Sequence, residues 1–145
     1  MKKNPAFTII ELLVALALVV GVAVPSLFAF REIRQKQALS ATTESLVSVL
    51  KTAHIYARES KENKSWGVKY KDATSYNLVS GDLNNWSAVG EFGLEDPVSF
   101  ETSGFTVWFD QGTGGTAENV SVVVITPTGV RAEVNVSVNG IEEAR

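Results

Sequence analysis

Between Leu12 and Phe30 the chain carries no charged side chain. Those 19 residues, wound as a helix, would extend about 28 Å, close to the roughly 30 Å hydrocarbon thickness of a bilayer. Without the run the remainder is ordinarily polar, so the chain divides by solvent preference into one small domain and an apolar appendage. The overall composition, 45% hydrophobic and 20% charged over 145 residues, belongs to a folded protein and not to a disordered one. Cysteine is absent and His54 is the one histidine. A disulfide framework, a thiol nucleophile, a cysteine-held metal and a histidine cluster are therefore excluded. No catalytic residue, metal ligand or cofactor is expected.

Three readings compete for the apolar run: a cleaved secretory signal, a plain membrane anchor, and the N-terminal helix of a filament subunit. A secretory core usually holds about 7–15 apolar residues and ends at a small-x-small cleavage site. This run is longer, no Ala-x-Ala follows it, and helical patterning continues beyond it. Glu11 separates the other two readings. A carboxylate deep in a bilayer costs about 2.5–3.5 kcal/mol, and less near the interface. As part of an anchor it sits at the headgroup boundary, with Lys2 and Lys3 holding the N-terminus in the cytoplasm. As part of a filament it awaits a positive partner, such as an α-amino group freed by cleavage a few residues upstream.

The segment Pro5-Ala6-Phe7-Thr8-Ile9-Ile10-Glu11-Leu12-Leu13, behind Lys2 and Lys3, resembles the processing motif of type IV pilins and type II secretion pseudopilins. The resemblance implies a leader, residues 1–6, removed by prepilin peptidase between Ala6 and Phe7. It also implies N-methylation of Phe7 and pairing of Glu11 with the N-terminal amine of an adjacent subunit during assembly. The partners it implies are prepilin peptidase, other pilin or pseudopilin subunits and inner-membrane lipid. The chain is then a single-pass protein of the cytoplasmic membrane, N-terminus inside, before it joins a filament. Two positions depart from the family pattern. Ala6 stands where glycine is usual, and Pro25 lies nearer Phe7 than the usual helix proline. The alternative is an uncleaved, membrane-anchored β-domain acting as an adhesin or binding module.

Gly21 and Pro25 fall inside the apolar helix, where proline removes a backbone hydrogen bond and crowds the preceding turn, so a kink or melted turn is expected there. Beyond Phe30 the spacing of Leu39, Thr43, Leu46, Leu50, Ala53 and Ala57 predicts a helix to about Ser60 with one apolar stripe, leaving Glu44, Lys51, Arg58 and Lys61 off it. The expected division is 7–30 for membrane or filament core, 31–62 for an amphipathic helix half and 63–145 for the head. Residues 31–64 carry seven basic and four acidic side chains; residues 65–145 carry four and eleven, a balance of 4 − 11 = −7. An acidic head repels phosphate backbones, so no nucleic-acid partner is expected. The basic segment is placed to touch anionic lipid or the acidic faces of neighbouring copies.

After Lys64 the pattern changes to period two. Trp66–Tyr70 and Tyr76–Val79 predict a hairpin, Phe105–Phe109 a third strand, and Val120–Thr126 with Val130–Val138 a second hairpin turning at Pro127-Thr128-Gly129. Ser80–Asp96 reads as a loop. The expected fold is α+β: a long N-terminal helix whose second half packs on an antiparallel sheet. In outline the chain is similar to the H-type pseudopilin and FimT-like minor pilin group. Glu142 and Glu143 stand in its tail where DNA-binding members would need arginine. Asp110-Gln-Gly-Thr-Gly-Gly lacks the Lys-Ser/Thr and following helix of a phosphate cradle, and reads as a mobile turn. Neither Asp110 nor Asp82 with Asn84 has the ligand spacing of a calcium loop.

Overall fold

The computed structural model describes residues 8–82, 84–138 and 140–144. Helix α1 spans Ile9–Arg58. It opens at Thr8 and Glu11, three residues apart, which cap one another. The chain divides into two compact units, Met1–Arg34 and Gln35–Arg145. In the first, the described residues after Thr8 are all helical and none is buried. The helix continues through Gly21 and Pro25. Ser26 Oγ donates to the Val22 carbonyl at 2.8 Å beside the proline.

The second unit is the head. Leu39, Thr43, Leu46, Leu50, Ala53 and Ala57 are all buried, as the stripe predicts, and Thr42 and Val49 widen it. The helix stops at Arg58, close to the expected end at about Ser60. Ser60 takes up the left-handed region at φ 52, and a short 3₁₀ turn follows over Lys61–Asn63. Trp66 Nε1 donates to the Lys61 carbonyl at 3.1 Å, and Lys61 Nζ lies 3.5 Å from the Tyr56 ring centre, which ties the turn to the head.

The strands are β1 (Ser65–Asp72), β2 (Ser75–Asp82), β3 (Asn85–Gly93), β4 (Ser99–Phe100), β5 (Thr106–Phe109), β6 (Val120–Ile125), β7 (Arg131–Ser137) and β8 (Gly140–Ala144). They form two antiparallel four-stranded sheets, β3-β2-β1-β5 and β4-β6-β7-β8, where the sequence suggested one. The predicted hairpins β1–β2 and β6–β7 are present, with Val68 opposite Leu78 and Val122 opposite Val134. One core joins the helix stripe to Trp66, Val68, Leu78, Val107 and Phe109 of the first sheet and to Val122, Val124, Val134 and Val136 of the second.

Three expectations change. Ser80–Asp96 is not a loop: it completes β2 and contains β3, a nine-residue edge strand. Most of its side chains are exposed on both faces, so it is held by main-chain bonds to β2 and shows no alternation to read. The chain after Ser137 is a separate strand, β8, paired to β7. The turn at Asp110–Gly115 is fastened to the helix end: Gly112 N–H donates to the Ala57 carbonyl at 2.8 Å and Gln111 Nε2 to Asn63 Oδ1 at 3.0 Å. The Gly112 bond supplies a donor to one of the helix's terminal carbonyls.

Candidate assembly segment

The cleavage and methylation positions, Ala6 and Phe7, lie outside the described residues. Glu11 does not. Its Oε2 accepts from the Thr8 amide at 3.0 Å and from Thr8 Oγ1 at 2.9 Å, while Thr8 Oγ1 accepts from the Glu11 amide at 3.3 Å. This reciprocal arrangement is a capping box, which satisfies backbone donors that the first helical turn leaves unpaired. The Thr-x-x-Glu spacing ahead of an apolar run announces such a box. Thr8 is thus a hydrogen-bond partner of Glu11 that reasoning from charge alone passes over. The carboxylate has a role within its own helix, and both bonds received from Thr8 fall on one of its two oxygens.

Fifteen large apolar side chains between Ile9 and Ile33 are exposed, among them Leu12 at 66%, Leu18 at 67% and Phe28 at 65%. Covering each in an apolar medium is worth about 1.5–3 kcal/mol, so leaving all of them in water costs on the order of 20–45 kcal/mol. The segment is long and apolar enough to cross a membrane. Within it, Pro25 has no N–H to offer the Gly21 carbonyl four residues earlier, so that carbonyl loses its usual helical donor. Loss of a donor is tolerable in water and costly in hydrocarbon. Gly21 and Pro25 therefore act together on one hydrogen bond. The apolar run ends in a cation: Arg34 Cζ lies 5.7 Å from the Phe30 ring centre.

In the head, His54 sits between the helix and the Asp110–Gly115 turn. Its ring meets Phe109 edge-on, with centres 5.5 Å apart, and a side chain at Gly114 would come within 2.9 Å of His54 Nε2. This is packing of the imidazole against an aromatic ring and a turn glycine. Among the described residues no group of three or more histidine or acidic side chains is placed to hold a metal. On the outer face of the first sheet, Lys69 Nζ lies 4.1 Å from the Trp86 ring centre, while Trp108 lies over Gly67. Comparison of the chain with protein-family models, with curated proteins and with solved structures found no match in any of the three.

Proposed function

We propose that this chain is a minor pilin or pseudopilin subunit. In this reading prepilin peptidase cuts between Ala6 and Phe7, Phe7 is N-methylated, and the product joins or primes a type IV pilus or a type II secretion pseudopilus. It waits in the inner membrane with its N-terminus inside, its partners being other pilin or pseudopilin subunits and lipid. No catalytic role is proposed. The observation that carries the reading is the uncovered apolar half of α1, followed by an α+β head whose core incorporates the other half. That architecture is pilin-like, and the residues before it resemble the prepilin motif. In a filament, neighbouring helices cover the apolar surface that lipid covers in the membrane.

One observation favours the second reading, an uncleaved anchored β-domain used as an adhesin or binding module. The capping box gives Glu11 an occupation that needs no neighbour. Two substitutions separate the readings. Thr8→Val removes the hydroxyl and weakens the cap by about 1 kcal/mol but leaves the Glu11 charge in place. Glu11→Gln removes the charge. In cells with the matching assembly machinery, measured by recovery in sheared filaments, the filament reading requires Thr8→Val to assemble and Glu11→Gln to fail while remaining folded in the membrane. Equal behaviour of the two variants would reduce Glu11 to a helix cap and favour the anchored domain.

A further inference from the structure

After β5 the chain turns back at Asp110–Gly115 alongside the open edge of the first sheet. Asp110 N–H donates to the Gly115 carbonyl at 2.8 Å, the first rung of a further strand pairing. The pairing stops there, because Val120 opens β6 in the other sheet. Between β5 and the departing segment lies a cleft of about 290 Å³, lined by Thr106, Trp108, Thr116, Ala117, Glu118 and Val120. The register of β5 fixes which main-chain groups face it. Tyr70 N–H donates to the Phe105 carbonyl at 3.0 Å, and β1 and β5 continue in that register, with Val68 opposite Val107 and Trp66 opposite Phe109. Bonded and non-bonded pairs alternate along antiparallel strands, so Phe105, Val107 and Phe109 turn their N–H and C=O groups to β1. Thr106 and Trp108 turn theirs to the open edge. Among the described residues nothing bonds these groups on that side.

An edge with free donors and acceptors is a template for an added strand. Two side chains set what such a strand should carry. The Trp108 indole is half-buried over Gly67, where a side chain would come within 3.0 Å of its ring, and it also lines the cleft. Glu118 is exposed and makes no ion pair among the described residues. An aromatic face and a free carboxylate in one cleft both favour a cation.

We propose that the β5 edge binds an extended peptide segment of another protein, with a lysine or arginine of that segment lying against Trp108 and Glu118. Main-chain bonds to Thr106 and Trp108 supply the pairing, and the cation supplies the selectivity. A second copy of the chain is a poor occupant. Its edge strands β3, β4, β5 and β8 hold the glutamates Glu91, Glu142 and Glu143 and no lysine or arginine. The proposal concerns the head alone, and it holds for a filament subunit and for an anchored domain alike.

Amide hydrogen exchange of the isotope-labelled full chain in detergent micelles reads this edge residue by residue. The probe is the peptide acetyl-Thr-Val-Thr-Lys-Thr-Val-Thr-amide. Without it the Thr106 and Trp108 amides exchange faster than the Val107 amide, which is bonded to β1. The peptide slows both. A fully N-methylated copy, which keeps the side chains and loses the donors, does not. Replacing its lysine by glutamate weakens binding about fivefold, and Trp108→Ala weakens the lysine peptide by about as much. Glu118→Lys, an exposed substitution that leaves the core untouched, reduces the preference for lysine over glutamate about fivefold. The proposal is overturned if the lysine peptide slows neither amide, if the N-methylated copy slows them equally, or if the preference is unchanged in Glu118→Lys. Slowing that appears without peptide as the protein concentration rises also overturns it, and gives the edge to a second copy.

Discussion

Truncating Leu46 to alanine tests the claim that only the second half of α1 belongs to the core of the head. Leu46 is completely buried in the stripe that the two sheets enclose. Leu46→Ala removes three carbon groups at about 0.8 kcal/mol each, or about 2.4 kcal/mol of transfer free energy. The space left behind adds about 24 cal/mol per Å³, so an unrelaxed hole of roughly 50 Å³ contributes about 1 kcal/mol more. The expected loss is therefore about 3–4 kcal/mol. For a unit of this size, at about 4 °C per kcal/mol, the melting temperature falls by about 12–16 °C. Leu16→Ala is the matched control. It makes the same chemical change at a residue 59% exposed in the first unit, and the head should melt within about 0.5 kcal/mol of the parent. The assay is near-ultraviolet circular dichroism of the full chain in detergent, which reports the packed aromatic residues of the head. A loss below about 1 kcal/mol for Leu46→Ala, or an equal loss for Leu16→Ala, would refute the division of the helix.

Other predictions concern the head and its titration. Gly114 has φ +68 and faces His54 Nε2, so Gly114→Ala should cost about 1–3 kcal/mol, and His54→Ala should recover part of that loss in a double-mutant cycle of thermal melts. Burial raises the Tyr76 hydroxyl above its ordinary value of 10.0, partly offset by the Ser45 hydroxyl. A group raised in the folded state stabilises below its unfolded pKa and loses that contribution as pH rises through the folded one. Denaturant midpoints should therefore fall above pH 10, and Tyr76→Phe should flatten that limb. Asp72 is shifted the other way, held below 3.8 first by the Ser75 hydroxyl and then by the Thr74 amide. Its contribution is complete above 3.8 and disappears as pH falls through the lowered value, so Asp72→Asn should flatten the acid limb of the same titration.

The parts of the fold that were legible in the sequence are those where burial imposes a period. The helix stripe repeats at three and four residues because one face of α1 is enclosed, and Ala132, Val134 and Val136 alternate because β7 buries one face. Strand β3 obeys neither rule. It lies at a sheet edge with side chains exposed on both faces, and an irregularity where Leu78 pairs with Gly90 and Val79 with Ala88 breaks its register at Val89. The second sheet was hidden for another reason. Strands β5 and β6 follow one another in sequence but join different sheets, and β4 is only two residues long. No local pattern records such a switch. At the N-terminus the Thr8-x-x-Glu11 spacing carries two messages, a helix cap and a charge awaiting a partner, and the capping bonds make only the first visible.

The central claim is that the chain is processed for filament assembly, and the intact mass and N-terminal peptide of the protein from its native membrane test it most directly. The account predicts a chain that begins at N-methylated Phe7, with residues 1–6 removed. A chain still beginning at Met1 in cells with active prepilin peptidase, or one cut beyond the apolar run, would contradict it.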